Sequence, residues 1–187
     1  MKLVAPKLSY IEKTSFEECL KKMKFQDVHI DQNIQQRTII QDLTFDGCLF
    51  ENIDFTKVSL KHLDLIDVTF DKCDLSNQNF DHQYLNRVQF KNCKLTGTSF
   101  IETNLKDVLF DHCDLQEASF YDANFKKIQF NETNLIQSEL ASLHHKGLDL
   151  STCQIQGAMF DLASLKGLII NDFQAVDLIG ILGVKVK

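Results

Sequence analysis

The residues best suited to chemistry in this sequence are its six cysteines and six histidines, which are the usual nitrogen and sulfur ligands of zinc. Four of the cysteines are separated by multiples of twenty residues: Cys73, Cys93, Cys113 and Cys153. No C-x-x-C pair occurs, and the adjacent His144 and His145 would point in opposite directions on a strand. The spacing therefore predicts cysteines that fill a core as small apolar residues, with no metal and no cofactor.

The carboxylates and hydroxyls show no arrangement typical of catalysis. The sequence contains no glycine-rich phosphate loop, no G-x-S-x-G and no H-E-x-x-H. Aspartates are frequent, but they are spread along the chain instead of being gathered with a base or a nucleophile. We therefore expect a protein that binds a partner and not an enzyme.

The spacing of the large apolar residues indicates which elements carry these side chains. From Ile40 to Leu140 every fifth residue is Ile, Phe or Leu, without one polar residue. Steps of five would scatter these residues around an α-helix, and an odd step puts successive residues on opposite faces of a flat strand. The pattern buries one side of the chain only if the chain turns a corner every five residues.

The residues two positions before each large apolar residue show how many corners make one turn of the solenoid. Val68, Val88, Val108 and Ile128 repeat at a spacing of twenty, which corresponds to four sides of five residues. Stacked coils would pair as parallel strands, so the predicted fold class is all-β, a quadrilateral parallel β-helix. The predicted core ladder consists of Phe50, Phe70, Phe90, Phe110, Phe130, Cys73, Cys93 and Cys113.

The repeat resembles that of the pentapeptide-repeat family, which is written roughly as small-polar-Leu/Phe-polar-polar in tandem. "CDLSN", "CKLTG", "TNLKD" and "CDLQE" are good instances, and the resemblance covers about residues 14–170. It implies that the solenoid is a right-handed quadrilateral β-helix with about twenty residues per coil.

The predicted organisation has three parts: an N-terminal lead-in at residues 1–13, the β-helix at 14–170, and a short C-terminal α-helix and tail at 171–187. The register slips between Phe16 and Phe25, which predicts an irregular first coil. A second break, at residues 31–37, predicts a short loop. Its residues are Asp31, Gln32, Asn33, Gln35, Gln36 and Arg37.

Residues near the C-terminus have the spacing of an amphipathic helix, with Asn171 or Asp172 as the expected N-cap and Gly183 as the C-terminal stop. The helix would cap the solenoid, either alone or while forming a homodimer through its apolar face. We favour the homodimer, because a short helix with this much apolar surface usually covers something. The predicted dimerisation residues are Phe173, Val176, Leu178, Ile179, Leu182 and Val184.

The charges limit the classes of partner. A net charge of −6 disfavours direct nucleic-acid binding, which depends on contacts from Lys and Arg to phosphates. No stretch approaches the length of a membrane span, and the start of the chain lacks the apolar run of a signal peptide. These features predict a cytoplasmic protein without a membrane partner.

Outward-facing residues also form columns at the twenty-residue spacing. The alternating signs of Asp67, Arg87, Asp107 and Lys127 predict ion pairs between coils, and a basic column contains Lys106, Lys126 and Lys146. An acidic strip contains Asp81, Glu102, Asp122, Glu117 and Glu139. The strip is either an ordinary solvated face or a contact for a basic partner.

The ending "SLKGLIINDFQAVDLIGILGVKV" resembles that of the Qnr and MfpA branch of the family. Members of this branch bind bacterial type II topoisomerases, DNA gyrase and topoisomerase IV, as dimers with the width and charge of a DNA duplex. Many protect the enzyme from fluoroquinolones, so the resemblance implies a DNA mimic, connected with quinolone resistance, whose acidic strip meets gyrase or topoisomerase IV. The alternatives are a structural or adaptor β-helix with a non-topoisomerase partner, and an immunity protein against a topoisomerase-poisoning peptide.

Overall fold

A computed structural model of the protein describes residues 2–8 and 11–184. The chain forms a parallel β-solenoid of about six turns, with one short helix near each end of the described solenoid. No helix in this part of the chain is long and apolar enough to cross a membrane. The predicted fold class is confirmed.

Neighbouring coils pair in parallel with a shift of twenty residues. Leu85, Leu105 and Phe125 are direct partners in three successive coils. The longest strands are β8 (Asp64–Asp71), β9 (Tyr84–Lys91), β10 (Asn104–Asp111) and β11 (Asn124–Asn131), stacked in that order. The shorter strands are β1 (Glu12–Lys13), β2 (Phe25–Gln26), β3 (Val28–Ile30), β4 (Thr38–Gln41), β5 (Thr44–Asp46), β6 (Leu49–Glu51) and β7 (Val58–Lys61).

The core is built from columns of phenylalanine rings that run along the solenoid axis. In one column the ring centroids lie 4.9 to 5.1 Å apart and neighbouring rings are nearly parallel. A second column meets the first edge-on; the Phe90 and Phe100 planes, for example, differ by 78°. Both arrangements are favourable for aromatic pairs. The predicted ladder of Phe50, Phe70, Phe90, Phe110 and Phe130 is confirmed as buried core.

Most sides of the solenoid end in a corner residue with a positive φ. Arg87, Asn92 and Glu102 have φ angles of 55°, 52° and 53°, and each follows a large apolar residue by two positions. This left-handed conformation costs a non-glycine residue roughly 1–2 kcal/mol. The cost is tolerated because every corner is followed by another buried apolar side chain and another set of hydrogen bonds between coils.

The predicted irregular first coil contains a helix, α1 (Phe16–Lys22). The side chain of Ser15 caps it by accepting a hydrogen bond from the Glu18 N–H at 3.2 Å. The Phe16 ring stacks on Phe50 with a centroid distance of 5.6 Å. The helix therefore covers the phenylalanine column at the N-terminal end of the solenoid.

The N-terminal segment lies across the alternating charge column. The Val4 N–H donates to Asp107 Oδ1 at 3.1 Å, and the Lys7 N–H donates to Asp67 Oδ1 at 2.9 Å. Arg87 adds two hydrogen bonds of 2.6 Å to the Asp67 carboxylate. Burial alone would raise the pKa of Asp67, but the hydrogen bonds from Arg87 and Lys7 outweigh it and lower that pKa.

The predicted loop at residues 31–37 connects β3 to β4 without helix or strand. It is tied to its surroundings at two points. The Lys13 ammonium lies 2.5 Å from Asp31 Oδ2, and Asn33 Oδ1 accepts a hydrogen bond from the Asp54 N–H at 2.6 Å. The loop is therefore a short, anchored connection on the surface of the solenoid.

The C-terminal helix α2 (Asp172–Ile179) closes the other end. Asn171 is its N-cap and forms a capping box with Gln174. The buried Gln174 amide also donates hydrogen bonds to the carbonyl oxygens of Leu150 at 2.8 Å and Cys153 at 2.7 Å. These carbonyls have no further coil to bond, so the cap satisfies backbone groups that a free sheet end would expose. A 3-10 turn (Gly180–Leu182) follows α2 and ends at Gly183, which has a φ of 73°.

Candidate functional site: an acidic face

One side of the solenoid brings together all five residues of the predicted acidic strip. Asp81 and Glu139 lie along the side itself, Glu117 lies at one of its corners, and Glu102 and Asp122 lie at the other. Parallel bridges between successive coils define the middle of this side: Asn79, Ser99, Ser119, Glu139 and Met159.

We define the acidic face as five stacked segments: residues 77–82, 97–102, 117–122, 137–142 and 157–162. These segments contain no lysine or arginine and six carboxylates: Asp81, Glu102, Glu117, Asp122, Glu139 and Asp161. The sequence prediction missed Asp161. Its position could have been predicted from the sequence, because Asp161 follows Asp81 by four coils of twenty residues.

Hydrogen bonds hold several of these carboxylates in place. Asp81 Oδ1 accepts from the Ile101 N–H at 2.8 Å and from the Ser99 hydroxyl. Asp161 accepts from the Ser164 hydroxyl and N–H, and these bonds lower the pKa of that carboxyl. The carboxylates are therefore fixed by neighbouring polar groups that carry no charge.

Two carboxylates have histidine neighbours at the edge of the face. His82 Nδ1 lies 3.3 Å from Glu102 Oε2, and His144 Nε2 lies 2.9 Å from Asp122 Oδ1. Within the described residues, no lysine or arginine forms a salt bridge with any carboxylate of the face. Six carboxylates outnumber these two histidines, so the face is negative whether or not the histidines are protonated.

The density of charge on the face is comparable to that of one nucleic-acid strand. Five coils at about 4.8 Å each span about 24 Å, so six carboxylates give one charge per about 4 Å. A DNA duplex carries one charge per about 1.7 Å of its axis, and each of its strands one per about 3.4 Å. The face therefore reproduces about the charge of a single strand and less than that of a duplex.

Apolar side chains lie between the carboxylates. Tyr121 is 43% exposed and Met159 56% exposed, and Ile101 lies beside Tyr121 one coil away. A partner surface could therefore bury apolar area in addition to pairing basic groups with the carboxylates. This arrangement can bind a basic surface.

Two family models match the sequence. One describes a pentapeptide repeat region and matches residues 63–140, and the other describes pentapeptide repeats in eight copies and matches residues 40–77. Together they match residues 40–140, which is more than half of the chain. The chain belongs to the pentapeptide-repeat family.

Solved structures of other proteins are similar to this pentapeptide-repeat protein. A trypsin-treated form of QnrB1, a plasmid-mediated fluoroquinolone resistance protein, is 20% identical with a TM-score of 0.50, over 85% of this chain and 99% of that chain. A pentapeptide repeat protein from the thylakoid lumen of Arabidopsis thaliana is 27% identical with a TM-score of 0.33, over 60% of this chain and 72% of that chain. No curated protein matches the sequence significantly.

The cysteines of this pentapeptide-repeat protein lie inside the solenoid, where the sequence places them. Cys73, Cys93 and Cys113 are 2 to 3% exposed, and the Cys113 thiol donates to the carbonyl oxygen of Phe90 at 3.3 Å. Burial raises the pKa of the Cys48 thiol to about 12, so this thiol stays protonated and unreactive. In the described part of the chain, no group of three or more His, Cys, Asp or Glu is placed to hold a metal ion.

The predicted dimerisation residues differ in their exposure to solvent. Phe173 is 88% exposed, Val176 61% and Val184 48%. Leu178 is buried in the core and is therefore not free to contact a second copy, and Ile179 is half-buried. The side chain of Leu182 lies outside the described part of the structure. Further exposed apolar side chains lie in the last coil: Met159, Leu162 and Ile169.

Proposed function

We propose that this pentapeptide-repeat protein belongs to the Qnr and MfpA branch and binds a bacterial type II topoisomerase, DNA gyrase or topoisomerase IV. The observation that carries the proposal is the acidic face, with six carboxylates and no lysine or arginine over five coils. An enzyme surface that holds a DNA duplex must be basic, because it contacts phosphates. An acidic solenoid can occupy such a surface in place of DNA.

The C-terminal sequence and the QnrB1 similarity support the choice of partner. The last residues resemble those of the branch, and QnrB1 is described as a fluoroquinolone resistance protein. The protein would act in the bacterial cytoplasm, by binding and without catalysis, and would modulate the enzyme or protect it from fluoroquinolone-like poisons.

The test is a DNA supercoiling assay with purified gyrase, in which the protein is titrated with and without ciprofloxacin. We expect the protein either to inhibit supercoiling or to restore it in the presence of the drug, and an excess of linear duplex DNA to weaken protein–gyrase binding. The same assay is repeated with topoisomerase IV in decatenation. No effect on either enzyme would contradict the proposal and favour an adaptor with another partner.

We also propose that the protein forms a homodimer through its C-terminal end. Phe173 and Val176 project from α2, and they lie at the same end of the solenoid as the exposed Leu162 and Ile169. A side chain as large and as exposed as Phe173 is costly to leave in water. Contact between two copies would remove this apolar surface from solvent.

Replacing Phe173 with Asp is expected to convert the dimer to a monomer without unfolding the solenoid, because this side chain makes little contact within its own chain. Light scattering after size exclusion measures the mass. The control is Ile39→Asp, which changes a side chain that is 61% exposed in β4, far from α2. A dimer that persists in the Phe173 variant, or a wild-type protein that is monomeric, would contradict this interface.

A further inference from the structure

The backbone pairing between coils is interrupted beside β11. A second interruption, between β7 and residues 77–82, is bridged by the Gln78 amide, which accepts from the Leu60 N–H at 3.1 Å and donates to the Val58 carbonyl oxygen at 2.7 Å. β11 pairs with β10 along its whole length, but its other edge bonds the next coil only at its ends. The Phe125 N–H donates to the His144 carbonyl oxygen at 2.8 Å, and the Glu132 N–H donates to Thr152 Oγ1 at 3.3 Å. Among the described residues, no backbone hydrogen bond joins residues 126–131 to the next coil. Six residues of strand edge therefore have no backbone partner in the next coil, where the Cys153 thiol donates to the Phe130 carbonyl oxygen at 3.7 Å.

A groove of about 890 Å³ lies along this edge, between β11 and residues 143–149. The corresponding residues of the two preceding coils, Val88 and Val108, are fully buried, whereas Ile128 is only partly buried. Ile169, 49% exposed, also lines the groove. The opening thus exposes apolar surface that a closed coil would cover.

The next coil departs from the repeat beside the groove. His145 occupies the inward position that Leu105 and Phe125 fill in the preceding coils. Its Nε2 lies 2.8 Å from the Ser164 carbonyl oxygen, and its Nδ1 accepts a hydrogen bond from the Leu148 N–H at 3.2 Å. The imidazole ring thereby engages a backbone donor of this segment. Pairing between coils resumes at the bridge from Asn134 to Gln154.

The rim of the groove is basic. Lys126 and Lys146 are exposed on the side that adjoins the acidic face, and Lys127 lies at the next corner. The Lys127 ammonium is 3.7 Å from Asp107, which leaves the first two lysines without an acidic partner within salt-bridge distance among the described residues. Asp149 is the one carboxylate among the groove residues. The groove is therefore complementary to a negatively charged occupant.

We propose that this groove binds an extended acidic peptide segment of a partner protein, which adds a strand to the free edge of β11. Six residues of edge correspond to about 20 Å of extended chain. Alternate side chains of such a segment would point to opposite faces, one set toward Ile128 and the other toward the lysines. The peptide backbone would satisfy the donors and acceptors that the neighbouring coil leaves unpaired. This site is separate from the acidic face and stands independently of topoisomerase binding.

The first test uses a fluorescein-labelled peptide of alternating glutamate and valine, eight residues long, and measures anisotropy with the full-length protein. A second peptide of the same sequence is N-methylated at every residue, which removes the backbone donors of both strand edges and keeps the charge. We expect the methylated peptide to bind about tenfold more weakly or worse, because the loss of even one or two hydrogen bonds is worth about this factor. Equal binding of both peptides would show attraction by charge alone and overturn the proposal, as would no binding of either.

The second test changes the protein. Reversing both rim charges, with Lys126→Glu and Lys146→Glu, is expected to weaken binding of the unmodified peptide by about tenfold. The matched control reverses two lysines where the coils are paired, with Lys72→Glu and Lys106→Glu, so the change in net charge is the same. Binding of the peptide to this control should change by less than about threefold. Circular dichroism checks that each variant is folded. An equal loss in the control would overturn the site. The proposal would also be overturned if the rim variants abolished self-association of the protein and left peptide binding unchanged, because the groove would then be assigned to a second copy.

Discussion

Replacing Phe110 with Ala is expected to lower the free energy of unfolding by about 3–5 kcal/mol. The Phe110 ring is fully buried and lies between Phe90 and Phe130, with centroid distances of 4.9 and 5.0 Å. Its removal leaves a cavity in the middle of the column. The coils on both sides are fixed by their hydrogen bonds and cannot collapse to fill it. Urea denaturation followed by circular dichroism measures the loss.

The matched control for this change is Leu109→Ala on the same strand. Leu109 is the adjacent residue and points outward, where it is only partly buried, so we expect a loss of about 1 kcal/mol or less. A more severe variant, Phe110→Asp, buries an unpaired charge and should abolish the β-sheet signal. If Phe110→Asp kept wild-type stability, the inward placement of the column would be wrong.

The period of five was sufficient to predict the solenoid and its core. A large apolar residue at every fifth position is compatible with burial only if the chain turns four times per coil, so the side-chain pattern determines the backbone path. The corners themselves were less visible, because residues as different as Arg87 and Glu102 adopt the left-handed conformation there. A signal was nevertheless present, since Gly97 and Gly157 both occupy this corner position.

The contacts outside the repeat could not be predicted in the same way. Ser15 and the charges of α1 are local helix signals that the slipped register obscured. The contact from Val4 to Asp107 joins residues 103 positions apart, and no periodicity indicates it. The ladder of large residues is interrupted in the coil that faces the opening beside β11, where His145 takes an inward position, and this was the one sign of the opening in the sequence.

The acidic face was predictable in its charges but not in its geometry. The column of Glu102 and Asp122 follows directly from the spacing of twenty. Glu117 lies one corner away from this column, so its place on the same side can be recognised only after the corners are located. The hydrogen bonds that fix Asp81 depend on the outward residues of the neighbouring coil, which the repeat leaves free to vary.

Reversing Glu102 and Asp122 to Lys is expected to weaken binding to a type II topoisomerase by about tenfold or more. Their side chains are 53% and 45% exposed at one corner of the acidic face, so the change should leave the core intact. The double variant turns two attractive contacts with a basic surface into repulsive ones. Affinity for gyrase, measured between about 50 and 200 mM salt, should also show a weaker dependence on salt for the variant.

The matched control reverses two exposed carboxylates away from the acidic face, with Asp42→Lys and Glu132→Lys. Both lie at positive-φ corners and both have histidine neighbours, at 3.3 Å for His62 and 3.1 Å for His112. The change in net charge is the same as in the first variant, so a long-range effect of charge would weaken both equally. We expect the control to bind within about threefold of wild type, because short-range contacts dominate at moderate salt. Equal losses would show that gyrase responds to the total charge of the protein and that the acidic face is not the contact.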